Sequence, residues 1–425
     1  MDVARRNFIA IFISHLVAAV GMAAFIPFIP FYLESLGVTD PVPMRIWSGL
    51  TIGAAPLTAA IFGPLWGALG DRIGRKIMVL RSLLAITMFV GLMGLVTAPW
   101  QLLVLRLLQG MFSGFVAAGN TLVSVSTPVE RQGRVMGVLQ TGLLLGFALG
   151  PLLGGVIGDT MGYRSAFFVT SALAASACLV VTFLAREDHR IQKASVGGEG
   201  IFRGMAHDLL GSLESRGMRY LLSSLLCFRT SLSLMVPVLP IYLVQIGGFD
   251  LSVKTTMASL LFTSMAAPVI FFVALWGWRA DRVGPGNNFV LCTFITAFCF
   301  LSYGLAWTAW MLIVMRALQG VFLAGIMPSI YAALARLSPG VSRGAAMGLV
   351  QSSLQISMAG GTILGGFLAA AMNLKVLFVI SCLLMLSASA LSRFGWMRMV
   401  DGGERKQEDH ADCSGAAECF ERQGG

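Results

Sequence analysis

The chain has 425 residues, of which 56% are hydrophobic and only 12% are charged, and its mean hydropathy is +0.81. A soluble domain carries about 25% charged residues, so this composition excludes an ordinary soluble protein. The net charge is +10, but no Lys/Arg-rich run with interleaved aromatic residues points to nucleic-acid binding.

Apolar runs of about 20 residues, the length that crosses a bilayer core, recur along the whole chain. The first continues to Tyr32, which is too long for a cleaved signal peptide. A barrel would show short alternating strands instead. We therefore predict an all-α membrane protein with transmembrane helices near 8–33, 46–69, 77–97, 100–123, 135–158, 164–185, 219–243, 255–278, 289–307, 309–331, 345–371 and 374–397.

The basic residues determine the predicted orientation, because cytoplasmic segments carry the excess of Lys and Arg. With the N-terminus in the cytoplasm, most of the 30 basic residues lie on the inner side. The exceptions are Arg45, Arg164, Lys254 and Lys375 on the outer side and Arg106, Arg229 and Arg316 inside spans. We expect a multi-pass protein of a bacterial-type inner membrane, with both termini cytoplasmic.

The second part of the chain repeats the first. VLRLLQGMFSGF at 104–115 returns as VMRALQGVFLAG at 314–325, an offset of 210 residues. The same offset relates PFIPFYLESLG to PVLPIYLVQIG and GDRIGRK to ADRVGPG. This parallel repeat predicts two pseudo-symmetric six-helix bundles, 1–185 and 219–398.

Two polar segments flank the second bundle. The linker 186–218 is predicted to be cytoplasmic, and its apolar residues at helical spacing favour a helix lying on the inner membrane surface. The tail 399–425 contains EDHADCSGAAEC, whose spacing fits no metal-ligand pattern. We expect a disordered tail, no metal and no cofactor.

Two bundles of this kind can rock about a site at their interface, exposing it to one side and then to the other. The chain has no Walker A pattern, so the energy for transport should come from an ion gradient or from the substrate gradient. A membrane enzyme or sensor lacks support, because the sequence has no paired deep carboxylates, no HExxH motif and no clustered histidines.

Four motifs resemble those of the major facilitator superfamily. GALGDRIGRK (67–76) is similar to its loop after span 2, and LRLLQG (105–110) is similar to its arginine motif on span 4. GFALGPLLGG (146–155) and GMAAFIPFIP (21–30) resemble motifs of its twelve-span drug:proton antiporters. The resemblance implies the major facilitator fold and the bacterial multidrug exporter branch.

Two of these motifs imply functional residues. In the loop motif, the resemblance implies a gating latch that holds the bundles together on the cytoplasmic side, formed by Gly70, Asp71, Arg72, Gly74, Arg75 and Lys76. In the span 5 motif, glycines at every fourth residue predict close approach of another helix. The resemblance adds a role in preventing leak for Gly150 and Pro151, within the set Gly146, Gly150, Pro151, Gly154 and Gly155.

The intramembrane arginines are candidate functional residues, because a charge at a helix centre costs about 2.5–3.5 kcal/mol. Arg229 lies about 15 Å into span 7, near the midplane. No Asp or Glu lies deep in any span, so Arg229 favours an anionic substrate. Arg316, like Arg106, either has a functional role or bonds backbone carbonyls. Gln109, Gln140 and Gln351 line the cavity or bond neighbouring helices.

Proton coupling is assigned to Glu34 and Arg106. Span 1 ends near Glu34, and Arg106 lies about 9 Å below the outer edge on span 4. The resemblance implies that spans 1 and 4 both line the central cavity of the first half, so an arginine reaching upward would meet the carboxylate and lower its pKa. The repeat offers no equivalent pair, since Val244 stands at the position of Glu34. The alternative is that Glu34 is an ordinary interfacial carboxylate.

Together these features predict a proton-coupled exporter of small organic molecules, working as a monomer in the bilayer. The drug-exporter resemblance favours a hydrophobic amphiphile, whereas Arg229 favours an anionic or chelating metabolite such as a siderophore. A proton-coupled uptake symporter of the same fold is the transport alternative.

Overall fold

The computed structural model describes residues 3–187, 216–337 and 343–396, and helices form its regular secondary structure. The first half comprises spans 1 to 6: Val3–Ala24 with Ile29–Ser35, Pro41–Ile73, Arg75–Met93, Pro99–Met111 with Phe115–Ser126, Val129–Met161 and Tyr163–Leu184. The second half comprises spans 7 to 12: Arg216–Met235 with Leu239–Ile246, Lys254–Val283, Pro285–Tyr303, Ala309–Leu323 with Ile326–Leu337, Arg343–Ala371 and Leu374–Leu391.

The predicted all-α membrane architecture is confirmed. Among the described residues, eleven helices are long and apolar enough to cross a membrane, and the two parts of span 7, bent by 43°, form a twelfth. That bend contains Pro237, and proline cannot continue the helical hydrogen-bond ladder. The predicted linker helix and the tail lie outside the described residues.

Spans 4 and 10 are each interrupted at equivalent places, a feature that the continuous apolar runs did not reveal. The break in span 4 includes Gly114, with φ of +124°, a conformation that favours glycine. The indole Nε1 of Trp66 donates to the carbonyl of Met111 at 2.6 Å, and Trp276 donates to Val321 at 2.7 Å. Each tryptophan therefore satisfies a carbonyl that the interrupted helix leaves free.

The repeat extends to the tyrosines at the ends of spans 1 and 7. The Tyr32 hydroxyl donates to the carbonyl of Met93 at 2.7 Å, and the Tyr242 hydroxyl donates to the carbonyl of Tyr303 at 3.1 Å. All four residues are buried. These bonds tie span 1 to span 3 and span 7 to span 9, so the two bundles share both helix order and internal fastening.

The halves meet along two seams. Span 2 packs on span 11, where Gly49 lies against Gly366, and span 5 packs on span 8, where Gly155 lies against Ser259. Gly49 and Ser259 are equivalent in the repeat, and so are Gly155 and Gly366. The seams are therefore related by the same pseudo-symmetry as the bundles.

Both seams lie at the end of the molecule that carries the helix ends Ser35, Met161 and Lys254, which we call the closed side. At the opposite end, the open side, the same helix faces are apart. A Cβ atom added at Gly137 or Gly348 would meet no atom within 4 Å. Gly137 lies about 27 Å along its helix from the seam at Gly155. A cavity between the halves therefore opens to one side only.

Candidate functional site

Arg229, on span 7, packs against span 11 beside the span 2/span 11 seam. Its NH2 group is 3.2 Å from the Sδ atom of Met358. Met358 lies one helical turn from Thr362, which contacts Gly53 across the span 2/span 11 seam. A thioether is a weak acceptor, and the Nε atom of Arg229 is buried without a hydrogen-bond partner among the described residues. The guanidinium therefore keeps an unused Nε donor close to the seam.

No carboxylate is positioned to neutralise this cation. In the described helices, acidic residues are confined to the ends: Glu34, Glu130, Asp71, Asp159 and Asp281. Charge buried without a partner is costly, so a site that retains one is a functional candidate. The electrostatics around Arg229 favour an anion.

Gln140 and Gln351 are both exposed and occupy equivalent positions near the open side of spans 5 and 11. Gln140 shares its helix face with Ala148 and Gly155, which contact span 8 across the seam. Because residues four apart lie on one helix face, these glutamines face the opposite half where the seams have parted. Their position is that of cavity-lining residues.

Arg106 does not reach Glu34, and the predicted ion pair between them is wrong in this conformation. Arg106 is buried and donates from Nε to the carbonyl of Thr51 at 3.1 Å and from NH2 to that of Ile52 at 3.4 Å. Its guanidinium lies over the Phe25 ring, 5.0 Å from the centroid. Phe25 precedes Glu34 by nine residues, about 13 Å along a helix. The Arg106 guanidinium therefore lies at the level of Phe25 on span 1 and not at the level of Glu34.

Gln109 and Arg316 are buried and do not line the cavity in this conformation. Gln109 accepts from NH1 of Arg106 at 2.8 Å, one turn back on the same helix. Arg316 and Gln319 repeat this bond in span 10, where the Tyr303 hydroxyl also donates to the Gln319 side chain. The repeated arginine is therefore held by a glutamine in both halves, which favours the structural interpretation of the motif.

Glu34 has a different partner, supplied by the second half. Its Oε2 atom accepts from Nζ of Lys254 at 2.8 Å, and the two side chains are 45% and 26% exposed. The lysine also lies 5.0 Å above the Phe31 ring. An exposed ion pair contributes at most about 1 kcal/mol, but this one joins the halves across the closed side.

Two further contacts join the halves at the closed side. Both carboxylate oxygens of Asp159, at the end of span 5, accept backbone N–H groups at the start of span 8: Thr255 at 3.1 Å and Thr256 at 2.6 Å. Arg45, at the start of span 2, donates from NH1 to the carbonyl of Ala369 near the end of span 11, at 2.7 Å. Sequence reasoning assigned neither residue a role, because each binds backbone atoms that no residue pattern reveals.

The predicted gating loop lies at the open side. Gly74 has φ of +116°, which favours glycine in the turn between spans 2 and 3. The backbone N–H groups of Arg75 and Lys76 donate to the Glu187 carboxylate at 2.7 and 3.0 Å, and Lys76 Nζ donates to the carbonyl of Ala185 at 2.7 Å. These bonds lie within the first half. The side chains of Asp71 and Arg72 lie outside the described part, so the latch stays a prediction.

The glycine motif of span 5 serves two different contacts. Gly146, Gly150 and Gly154 lie against the backbone of span 1, and any Cβ there would overlap it. Gly155, on the adjacent face, contacts Ser259 in the seam. Pro151 is buried within the continuous helix Val129–Met161. One motif thus combines packing inside the first half with contact between the halves.

Trp66 and Trp276 are structural residues that the predicted motifs did not include. The sequence does mark them, because LWG at 65–67 returns at 275–277 with the offset of the other repeats. Over the ranges that the structure describes, no three potential metal ligands cluster. The Asp, His and Cys residues of the tail lie outside these ranges.

Comparison with known proteins agrees with this geometry. The chain matches the family described as the Major Facilitator Superfamily over residues 11–259 and 221–412. It is 29% identical to "Multidrug resistance protein MdtG" of Citrobacter koseri, over 89% of this chain and 91% of that protein. It is 30% identical to the protein of the same name from Enterobacter lignolyticus, over 90% of each. The structure of a D-xylose-proton symporter superposes with a TM-score of 0.74 at 12% identity, covering 92% of this chain and 97% of that one.

Proposed function

Because the chain belongs to the Major Facilitator Superfamily, we propose that it exports anionic, amphiphilic organic molecules by alternating access, driven by protons. Family membership makes it a secondary transporter that handles small molecules within a membrane, and not an enzyme. The relatives in Citrobacter and Enterobacter carry the name multidrug resistance protein, which supports export and a hydrophobic substrate class.

The observation that carries the substrate class is the position of Arg229. Its guanidinium lies beside the seam between the halves, with the Nε donor unused and a thioether as its described acceptor. A hydrogen bond to a charged group contributes about 1.5–3 kcal/mol. A carboxylate or phosphonate on the substrate would supply the missing acceptor, and a chelating metabolite such as a siderophore belongs to the same class.

The proposed orientation places the open side in the cytoplasm of a bacterial-type inner membrane. The positive-inside distribution of Lys and Arg supports this orientation. With this orientation the open side would face inward, and we propose a monomer as the working unit. Substrate would enter from the cytoplasm or the inner leaflet, reach Arg229, and leave once the closed-side seams have parted and the open side has closed. Gln140 and Gln351, on opposite walls, would contact its polar groups.

For proton coupling we retain Glu34 as the candidate carrier and replace its partner. Lys254 of the opposite half now occupies the role assigned to Arg106. Protonation of Glu34 would break the ion pair across the closed side, so proton binding and separation of the halves would favour each other. Arg106 instead fixes span 4 to span 2 through the Thr51 and Ile52 carbonyls.

Charge-selective transport tests the assignment. An anionic fluorescent amphiphile or its neutral ester would be added outside everted membrane vesicles, and its accumulation inside them would be measured with and without an uncoupler. Arg229→Gln should reduce anion export about 10- to 100-fold, the range of a lost charged hydrogen bond, and should leave ester export within about 2-fold. Arg229→Lys, which keeps the charge but loses the planar fork of donors, should be intermediate.

If Arg229→Gln reduced export of the anion and of the ester equally, at a normal protein level, Arg229 would be structural and the anionic substrate class would be contradicted. Substrate accumulation that is unchanged by the uncoupler would contradict transport driven by protons. Substrate movement with the proton, rather than against it, would identify the uptake symporter.

A further inference from the structure

The two seams are closed at their outer ends by opposite chemistry. In the span 5/span 8 seam, the Asp159 carboxylate accepts the N–H groups of Thr255 and Thr256 at the N-terminus of the opposing helix. In the span 2/span 11 seam, the Arg45 guanidinium donates to Ala369 near the C-terminus of the opposing helix. Each charge has the sign that the helix dipole favours at that end.

The two contacts respond differently to protons. A guanidinium stays charged at any physiological pH, so the Arg45 contact is independent of pH. In a protonated carboxyl group the carbonyl oxygen stays a good acceptor, whereas the hydroxyl oxygen becomes a donor and a poor acceptor. Because each oxygen of Asp159 accepts a different N–H group, protonation would remove one of the two bonds and the charge that faces the helix N-terminus.

Few other ionisable groups face this contact. Lys254 precedes Thr255 and is paired with Glu34. Asp250 accepts the N–H of Ser252 within the second half, and this bond lowers its pKa. On span 6, Tyr163 packs against Gly158, and Arg164 donates to the carbonyl of Val96. The described bonds of Asp159 are both to backbone across the seam.

We propose that Asp159 is a proton-sensitive latch of the closed side. Proton binding to Asp159 and closure of the span 5/span 8 seam oppose each other, so by linkage each weakens the other. Acidification on the closed side favours opening of that side. The proton returns to the side from which it came when the seam closes, so the latch regulates the transport cycle and is separate from the carrier proposed above.

Distance measurements across the seam test the latch without any transport assay. Spin labels would be placed at Met161→Cys and Leu251→Cys, both exposed, in a chain whose seven native cysteines are replaced by serine. Pulsed electron resonance would then give the open and closed populations from about pH 8 to about pH 4, which spans carboxylate titration. In the wild type, the open population should rise as the pH falls.

Asp159→Ala should raise the open-to-closed ratio at neutral pH about 2- to 30-fold, the range of a lost helix cap. Asp159→Asn, which keeps one acceptor oxygen but cannot ionise, should abolish the pH dependence. Asp159→Ser serves if the asparagine variant does not accumulate. Asp250→Asn, which removes a neighbouring carboxylate that does not cross the seam, should keep the wild-type profile. A wild-type distance that ignores pH, an Asp159→Asn profile like the wild type, or a profile abolished by Glu34→Gln instead would each overturn the proposal.

Discussion

The two halves repeat their scaffold closely and differ where chemistry is expected. Trp66 and Trp276 bind equivalent carbonyls, and Tyr32 and Tyr242 do the same. Each half also holds its buried span 4 or span 10 arginine with a glutamine. Contacts kept in both copies are those that any six-helix bundle of this kind needs, so duplication alone identifies them as structural.

Some of the differences between the halves lie near the seams and the gates. Arg229 has Ala19 as its counterpart, and Glu34 has Val244. The basic end of the first gating loop is replaced by Pro285 and Gly286 in the second copy. A residue present in one copy is not required by the shared architecture. The comparison therefore separates residues that stabilise the bundle from residues that are candidates for a role in transport.

The largest expected effect on stability comes from adding a methyl group to the glycines by which span 5 packs on span 1 and span 11 packs on span 7. Gly154→Ala and Gly365→Ala each place a methyl group on a backbone carbonyl, of Ala24 and Leu234 respectively. Overpacking of this kind costs about 1–3 kcal/mol, so both variants should unfold at a clearly lower temperature in detergent. Equal decreases in unfolding temperature would show that these glycines have the same packing role in both halves.

Gly137→Ala and Gly348→Ala are the matched controls, because they lie on the same two helices with no atom within 4 Å of the added methyl group. Their unfolding temperatures should stay near the wild type. A tolerated Gly365→Ala beside a damaging Gly154→Ala would show that the first-half motif does more than pack.

The repeated arginines give the next largest effect. Arg106→Gln removes the donor to Gln109 and to two span 2 carbonyls, whereas in Arg316→Gln the Tyr303 hydroxyl still donates to Gln319. A buried acceptor left without a donor costs about 1–3 kcal/mol. Thermal unfolding should therefore be lowered more by Arg106→Gln than by Arg316→Gln. The reverse order would mean that the shared glutamine is not what these arginines stabilise.

Much of the architecture followed from the sequence, because run length and a constant offset are local properties. Helix count, the two bundles and the glycine contacts depend only on which residues recur at which spacing. The breaks in spans 4 and 10 did not follow, because apolar residues continue through them. Gly114 is one glycine among 49 in the chain, and nothing in the spacing marks its positive φ.

The site was harder to predict, since it depends on relative heights and on conformation. Rise per residue places Arg106 within span 4 but does not say which level of span 1 stands beside it. Glu34 was therefore given the wrong partner. Lys254 lies in the other half of the chain and meets Glu34 across the closed side. A contact between two distant segments of this kind leaves no pattern in the sequence.

The gating loop should give a smaller change in stability and a clear change in function. If Asp71 belongs to a latch formed when the open side closes, Asp71→Asn shifts the balance between states and reduces transport while protein level and substrate binding stay near the wild type. Asp281→Asn, the equivalent change in the weaker second copy, should cost less. Equal transport by both variants would contradict a gating role specific to the first half.

Glu34→Gln should have the smallest effect on stability and still separate two functions. Its ion pair with Lys254 is exposed, so its loss costs at most about 1 kcal/mol and unfolding should hardly change. If Glu34 carries the proton, the variant should lose uphill export on an imposed proton gradient and keep downhill substrate exchange. Lys254→Gln breaks the same ion pair but keeps the carboxylate, so it should retain uphill export. Uphill export by Glu34→Gln vesicles would remove Glu34 as carrier and leave the ion pair as a fastening between the halves that the second copy, with Val244, does not possess.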